Sequence, residues 1–214
     1  MSAETIAVGL TTYVVLLFSL SVHESAHAWT AHRMGDDTAI RQGRVSLNPI
    51  VHIDPIGTLL IPLLQIFWGG IPLIGWAKPT PVSSRNFRNL SRGHILVAGA
   101  GPASNLALAL AFTLALFLAL RAAIDIRGPV MAMVTTGIQM NVILALFNLI
   151  PLPPLDGSWI ATWGLPRPVA AAYDRIVEPY GSLVLLVLFA TGGLGYVIGP
   201  VARWVVTVLY SIVL

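Results

Sequence analysis

Five stretches of this chain, Thr5–Val22, Ile56–Trp76, Ile95–Leu120, Gly128–Leu155 and Pro179–Ala202, contain no Asp, Glu, Lys or Arg. Each approaches or exceeds the roughly 20 apolar residues that carry a helix across the hydrocarbon of a bilayer. Backbone groups in lipid must be satisfied within the protein, so the expected fold is an all-α polytopic membrane protein, with residues 1–214 as a single membrane-embedded domain. Charged residues are only 10% of the chain, against roughly a quarter in a soluble domain, and aqueous folds are excluded on that ground. The net charge of +3 reflects 12 basic residues spread over short loops, a pattern of membrane orientation and not of nucleic-acid binding. Met1-Ser2-Ala3-Glu4 lacks the basic residues of a signal peptide, so the first apolar run is read as a retained helix.

Charge and turn residues then divide the chain. Helix 1 is expected over about Ile6–Met34, and its second half turns polar through His23, Glu24, His27, His32 and Arg33. From Ile40 to Ile53, β-branched residues alternate with Gly and Asn-Pro, which predicts a small β segment at the membrane surface. Ile56–Trp76 carries Pro62, Pro72 and Gly69-Gly70, which fits a re-entrant or broken helical hairpin at least as well as a straight span. Helices are expected over about Ser91–Leu120 and Val130–Asn148. A linker with Arg121, Asp125 and Arg127 joins them, and a Pro-rich loop from Pro151 follows. After it come a surface helix near Val169–Pro179 and two apolar segments in Tyr180–Leu214. If the hairpin returns to the side it left, nine of the 12 basic residues share one side, which should be cytoplasmic.

With no cysteine, a metal here has to be held by His, Asp or Glu. His23-Glu24-Ser25-Ala26-His27 is the H-E-x-x-H pattern, in which two imidazoles one helical turn apart take adjacent corners of a zinc tetrahedron and the Glu acts as general base on water. Polar residues closing a transmembrane run are costly unless a metal or polar cavity receives them; the bland alternative is interfacial snorkelling or helix packing. Asp156, in an apolar stretch beside Gly157, is the best source of a third ligand, though Leu-Asp-Gly is also an ordinary turn. Asn148 could donate to a substrate carbonyl or cap its helix, and Asn141 could line the same polar path or bond between helices. His52 could contact zinc or substrate, or have no function. Asn105, among the small residues of Gly99–Asn105, could bind near the metal or bond across a helix contact.

Taken together these residues resemble the site-2 protease family, the intramembrane zinc metalloproteases. The resemblance rests on His23-Glu24-Ser25-Ala26-His27, Asn48–Thr58, Gly75-Trp76-Ala77-Lys78-Pro79, Gly101-Pro102-Ala103-Ser104-Asn105 and Asn148–Gly157. It implies one catalytic Zn2+ held by His23, His27 and Asp156, Glu24 as base, and Asn148 as a substrate-orienting or oxyanion donor. The implied reaction is cleavage of a transmembrane protein substrate after its helix enters and unwinds. In the family the strand segment after the motif helix pairs with extended substrate, and Ile40–His52 would be that element here. The resemblance is to a minimal member, without an inserted PDZ domain, of a prokaryotic membrane with its metal site toward the cytoplasm. The expected partners are the substrate, the lipid bilayer and either a second copy or a separate regulatory protein. Two other readings use the same residues: a zinc-binding channel or transporter, which leaves Glu24 without a role and lacks the usual internal repeat, and an inactive scaffold with the protease fold.

Overall fold

The structure, a computed structural model, describes residues 3–68, 75–122, 124 and 128–213. Helix α1 (Ala3–Met34) runs 32 residues, roughly 48 Å, which exceeds the roughly 30 Å of bilayer hydrocarbon. After it come a single turn, α2 (Thr38–Arg41), a 3-10 turn at Pro49–His52 and a π-helical turn at Pro55–Leu60. That last turn leads into α3 (Ile61–Trp68). The remaining helices are α4 (Leu90–Arg121), α5 (Pro129–Asn148), α6 (Asp156–Gly164), α7 (Arg167–Ala190) and α8 (Gly193–Ser211). Four of them, α1, α4, α5 and α8, are long and apolar enough to cross a membrane, as expected of an all-α polytopic membrane protein.

The centre of the molecule is α4, packed against α1, α5 and α6, while α8 lies against α5. Each central helix buries a narrow stripe at helical spacing and turns apolar side chains outward. On α5 the stripe is Val134, Ile138, Asn141, Val142 and Ala145; on α4 it is Val97, Gly101, Asn105, Ala109 and Thr113. On α1 it runs from Leu16 and Leu20 through His23 and His27 to Ala31. The same periodicity that buries leucines in the first half of α1 thus buries imidazoles in the second. Outside, Val14, Leu114, Leu118 and Trp204 are all more than half exposed, as befits lipid-facing positions.

The described part of the hairpin is short. The turns at Pro55–Leu60 and Ile61–Trp68 together reach roughly 20 Å, too little for a crossing. The chain then reappears as an extended segment whose Trp76 N–H donates to the Gly57 carbonyl at 3.2 Å and whose Lys78 N–H donates to the His52 carbonyl at 2.8 Å. Its two ends therefore lie side by side, the arrangement of a re-entrant segment. The Gly69-Gly70 and Pro72 of the expected turn lie outside the described residues, as do Asp125 and Arg127 of the expected linker.

The β segment expected between Ile40 and Ile53 is not formed; no strand occurs among the described residues. Gly43, at φ +67°, closes α2, and the Asn48 side chain accepts from the Ile50 N–H to cap the Pro49 turn. Arg44, only 4% exposed, takes up carbonyls that a ladder would have used: its guanidinium donates to Val51 at 2.8 Å, to Pro79 at 3.1 Å and to Lys78. A second correction concerns the C-terminal third. The expected surface helix and the apolar segment after it are one helix, α7, which continues through Pro179. Contacts on both sides of that proline tie the helix to the loop before α6: the Tyr173 hydroxyl donates to the Pro151 carbonyl at 2.8 Å, and Gly181 lies against Pro153 so closely that a Cβ would fall 2.4 Å from Cδ.

Candidate metal centre

His23 and His27 project from α1 toward the N-terminus of α6, whose first residue is Asp156. The spacing of four puts both imidazoles over one another on the buried face. Their Nε2 atoms are 3.0 Å apart, and Asp156 Oδ2 lies 3.3 Å from the first and 3.4 Å from the second. Asp156 reaches them because α6 starts hard against the end of α5. A Cβ at Gly157 would meet the Leu149 carbonyl oxygen at 2.3 Å, so only glycine allows this seating. Gly101 does the same for the histidines: a Cβ there would lie 2.4 Å from His23 Cε1 and 2.5 Å from His27 Nε2, so α4 can pass beside both rings only without a side chain.

The donor chemistry of this triangle fits a cation. His27 Nδ1 lies 2.6 Å from the Val97 carbonyl, which can only accept, so that ring carries its proton on Nδ1. His23 Nδ1 lies 2.6 Å from Asn105 Oδ1 and donates likewise. Both Nε2 lone pairs and one oxygen of Asp156, buried and without a hydrogen-bond donor, then face a single point. Three bare lone pairs at this separation repel unless a positive ion sits among them. The 3.0–3.4 Å edges match the roughly 3.3 Å between donors of a tetrahedron with metal–ligand bonds of about 2.0–2.1 Å.

One side of the group opens on a cavity of about 690 Å3, lined also by Glu24, Thr80, His94, Asn148 and Trp159. Glu24 Oε2 accepts from both the N–H and the hydroxyl of Thr80, each at 2.8 Å, so the extended segment after the hairpin holds this carboxylate. The Asn148 amide donates to the Leu144 carbonyl at 3.0 Å while its side chain lines the cavity. His94, which also lines the cavity, stacks on Trp159 and Trp163, with ring centroids 5.2 and 4.4 Å away.

Two further residues singled out in the sequence lie outside the cavity lining. His52 is 2% exposed and its Nε2 donates to the Ser46 carbonyl at 2.8 Å; it braces the loop and does not line the cavity. Asn105 is fully buried behind His23, its amide used on His23 and Asn141, so it bonds across the helix contact and backs the metal group, as one of its expected roles has it, and does not line the cavity. Thr80, Arg44 and His94 escaped sequence reasoning. For Thr80 the available signal is its place directly after Trp76-Ala77-Lys78-Pro79; Arg44 reads in the sequence only as one of the basic loop residues.

The segment carrying Thr80 is pinned at its far end by Asp36. This buried carboxylate accepts from the Thr38 hydroxyl at 2.5 Å, the Thr38 N–H at 3.1 Å, the Ser83 N–H at 2.7 Å and the Asn86 amide at 2.8 Å. Burial alone would raise its pKa, but these donors outweigh it and hold the group below the ordinary aspartate value. A lowered folded-state pKa contributes stability that is fully present above the unfolded value, about 3.9, and is lost as pH falls through the folded one. Asp36→Asn is therefore expected to lower the thermal midpoint at pH 7, with the gap from wild type narrowing below about pH 4. Thermal unfolding in detergent across pH 3–7 checks this, and a gap that widens in acid contradicts it.

The chain is similar to three bacterial proteins. "Putative zinc metalloprotease YwhC" of Bacillus subtilis is 44% identical over 195 residues, covering 87% of this chain and 83% of that one. "Putative zinc metalloprotease Rip2" of Mycolicibacterium smegmatis is 33% identical, covering 91% and 69%. "Putative zinc metalloprotease Rip3" of Mycobacterium tuberculosis is 32% identical, covering 87% of this chain but 39% of that longer protein. No protein-family model and no solved structure matches the chain.

Proposed function

The chain belongs to the site-2 protease family of zinc metalloproteases, and from that premise we propose that it is an intramembrane endopeptidase, hydrolysing peptide bonds within or near transmembrane helices of membrane proteins. The observation that carries this reading is the convergence of His23, His27 and Asp156, with Glu24 on the same cavity, inside a bundle whose outer face is apolar. His23, His27 and Asp156 would hold the zinc, which when bound supplies Lewis-acid polarisation and acidifies water. Glu24 takes a proton from the attacking water and returns it to the nitrogen of the departing amine. Thr80 keeps that carboxylate in one place throughout, through its two bonds to Oε2. Asn148 offers its amide to the carbonyl oxygen as charge develops there. An intact helix conceals its amides in its own hydrogen bonds, so the substrate must locally unwind to present one to the cavity.

Residues 1–214 act as one membrane-embedded domain in this reading, with the lipid bilayer and a transmembrane substrate as partners. The excess of basic residues on one side supports a metal centre facing the cytoplasm of a prokaryotic cell. The test is reconstitution with purified transmembrane substrates and mapping of the products by mass spectrometry. Cleavage inside the membrane segment is expected, abolished by chelation of zinc to below detection and restored by added Zn2+. Cleavage that persists in metal-free protein, or that is confined to soluble peptides, overturns the reading.

A further inference from the structure

Behind the metal group lies a line of buried polar side chains that the proposed reaction does not use. His23 Nδ1 meets Asn105 Oδ1 at 2.6 Å; Asn105 Nδ2 donates to Asn141 Oδ1 at 2.9 Å; Asn141 Nδ2 donates to the Ser19 hydroxyl and to the Gly137 carbonyl, each at 2.9 Å. Ser19, Asn105 and Asn141 are all fully buried, and the line ties together α1, α4 and α5. A side-chain amide can be turned end for end, so the direction of such a line has to be set somewhere. Here it is set at Gly137. A backbone carbonyl only accepts, so the Asn141 nitrogen must face it and the Asn141 oxygen must face α4. Asn105 then has to present its nitrogen to Asn141 and its oxygen to His23. The proton of His23 is thereby held on Nδ1, and the Nε2 lone pair is left for the metal.

We propose that Asn141 is a positioning residue for the metal centre, acting through Asn105 to fix the tautomer and ring orientation of His23. His27 needs no such line, because a main-chain carbonyl, that of Val97, already faces its Nδ1. His23 faces a side-chain amide that would serve equally well reversed, and reversal would put a donor against Nδ1 and move the proton to Nε2, where it blocks the metal. This inference rests on zinc binding at His23, His27 and Asp156.

Zinc affinity measured by chelator competition in the purified full chain tests it, with wild type, Asn141→Leu, Asn105→Asp and the double variant. Asn141→Leu is expected to bind zinc about 10–100-fold more weakly, the usual cost of losing an outer partner of a ligand histidine. In the Asn105→Asp background either carboxylate oxygen can accept from Nδ1, so orientation no longer matters. There Asn141→Leu should cost nothing further, and it removes the acceptor-against-acceptor contact that the new carboxylate makes with Asn141 Oδ1. An unchanged affinity for Asn141→Leu, or an equal loss in both backgrounds, overturns the proposal, the second outcome marking a packing role. Should Asn141→Leu fail to fold, 15N spectra of histidine in zinc-free wild type decide. His23 protonated on Nδ1 at neutral pH is expected, and the Nε2 tautomer overturns it. A wild type that binds no zinc through these three residues would sink the functional reading itself, which separates the two failures.

Discussion

Glu24→Gln is expected to leave zinc bound at wild-type affinity while lowering cleavage by about 10²–10⁴-fold, the usual worth of a positioned general base. Gln has the same length and still offers an oxygen to the Thr80 N–H and hydroxyl, so the shape of the cavity wall is preserved. What it lacks is the capacity to take a proton. Glu24 stands apart from the three atoms that converge on the metal position, so its neutralisation removes no ligand. Asp156→Ala is the contrasting control, because it takes away one corner of the triangle and should lose zinc and cleavage together. Metal analysis and initial rates on one preparation read both quantities. A Glu24→Gln protein that still cleaves at the wild-type rate removes Glu24 from the reaction.

Gly101→Ala is expected to weaken zinc binding by at least about 100-fold, more than the loss of a single outer partner, because one methyl group disturbs two ligands at once. The new Cβ would stand 2.4 Å from His23 Cε1 and 2.5 Å from the Nε2 atoms of both histidines. Neither ring can swing aside freely, since each is held by a 2.6 Å bond at Nδ1. The zinc-free protein should suffer much less, because without a metal to serve a ring can give up that bond and turn away from the new methyl group. Alanine is favoured over glycine in a helix by roughly 0.5–1 kcal/mol, which offsets part of the crowding cost of about 1–3 kcal/mol. The expected signature is therefore a large loss of zinc affinity with a shift of only a few degrees in the apo thermal midpoint. Wild-type zinc affinity in this variant would mean that the rings do not lie against α4 as described.

Two of the long helices, α4 and α5, were legible in the sequence nearly to the residue, whereas α7 was not. The expected spans Ser91–Leu120 and Val130–Asn148 differ from Leu90–Arg121 and Pro129–Asn148 by a residue at most ends, because charged or turn residues bound each apolar run. The His23–His27 pair was legible for a different reason: spacing on a helix is a local property, and the fold needs only to supply the third atom. Short-range patterns were less informative where a distant side chain decided the outcome. Ile40–Ile53 has strand-like composition, yet Arg44 takes its carbonyls and those of residues more than thirty positions away. Asp156-Gly157 reads as a turn by composition and starts a helix instead, because Gly157 fits beneath the Leu149 and Ile150 carbonyls. His52 and Asn105 are polar residues in the right regions whose direction is set by tertiary packing, which no periodicity in the chain records.

The metal position is bounded by α1 at one end of the chain, by α4 in the middle and by α6 near the other, with α5 bracing the line behind His23. Because α1 precedes α4 and α6 in the chain, the His-Glu-Ser-Ala-His helix is made as an incomplete half-site. Its histidines receive their orienting partners only when Val97 and Asn105 arrive, and their third ligand only when Asp156 does. The three-ligand group therefore exists only once α6 has been made and has packed against α4, so a chain interrupted before Asp156 carries the two histidines without their third ligand.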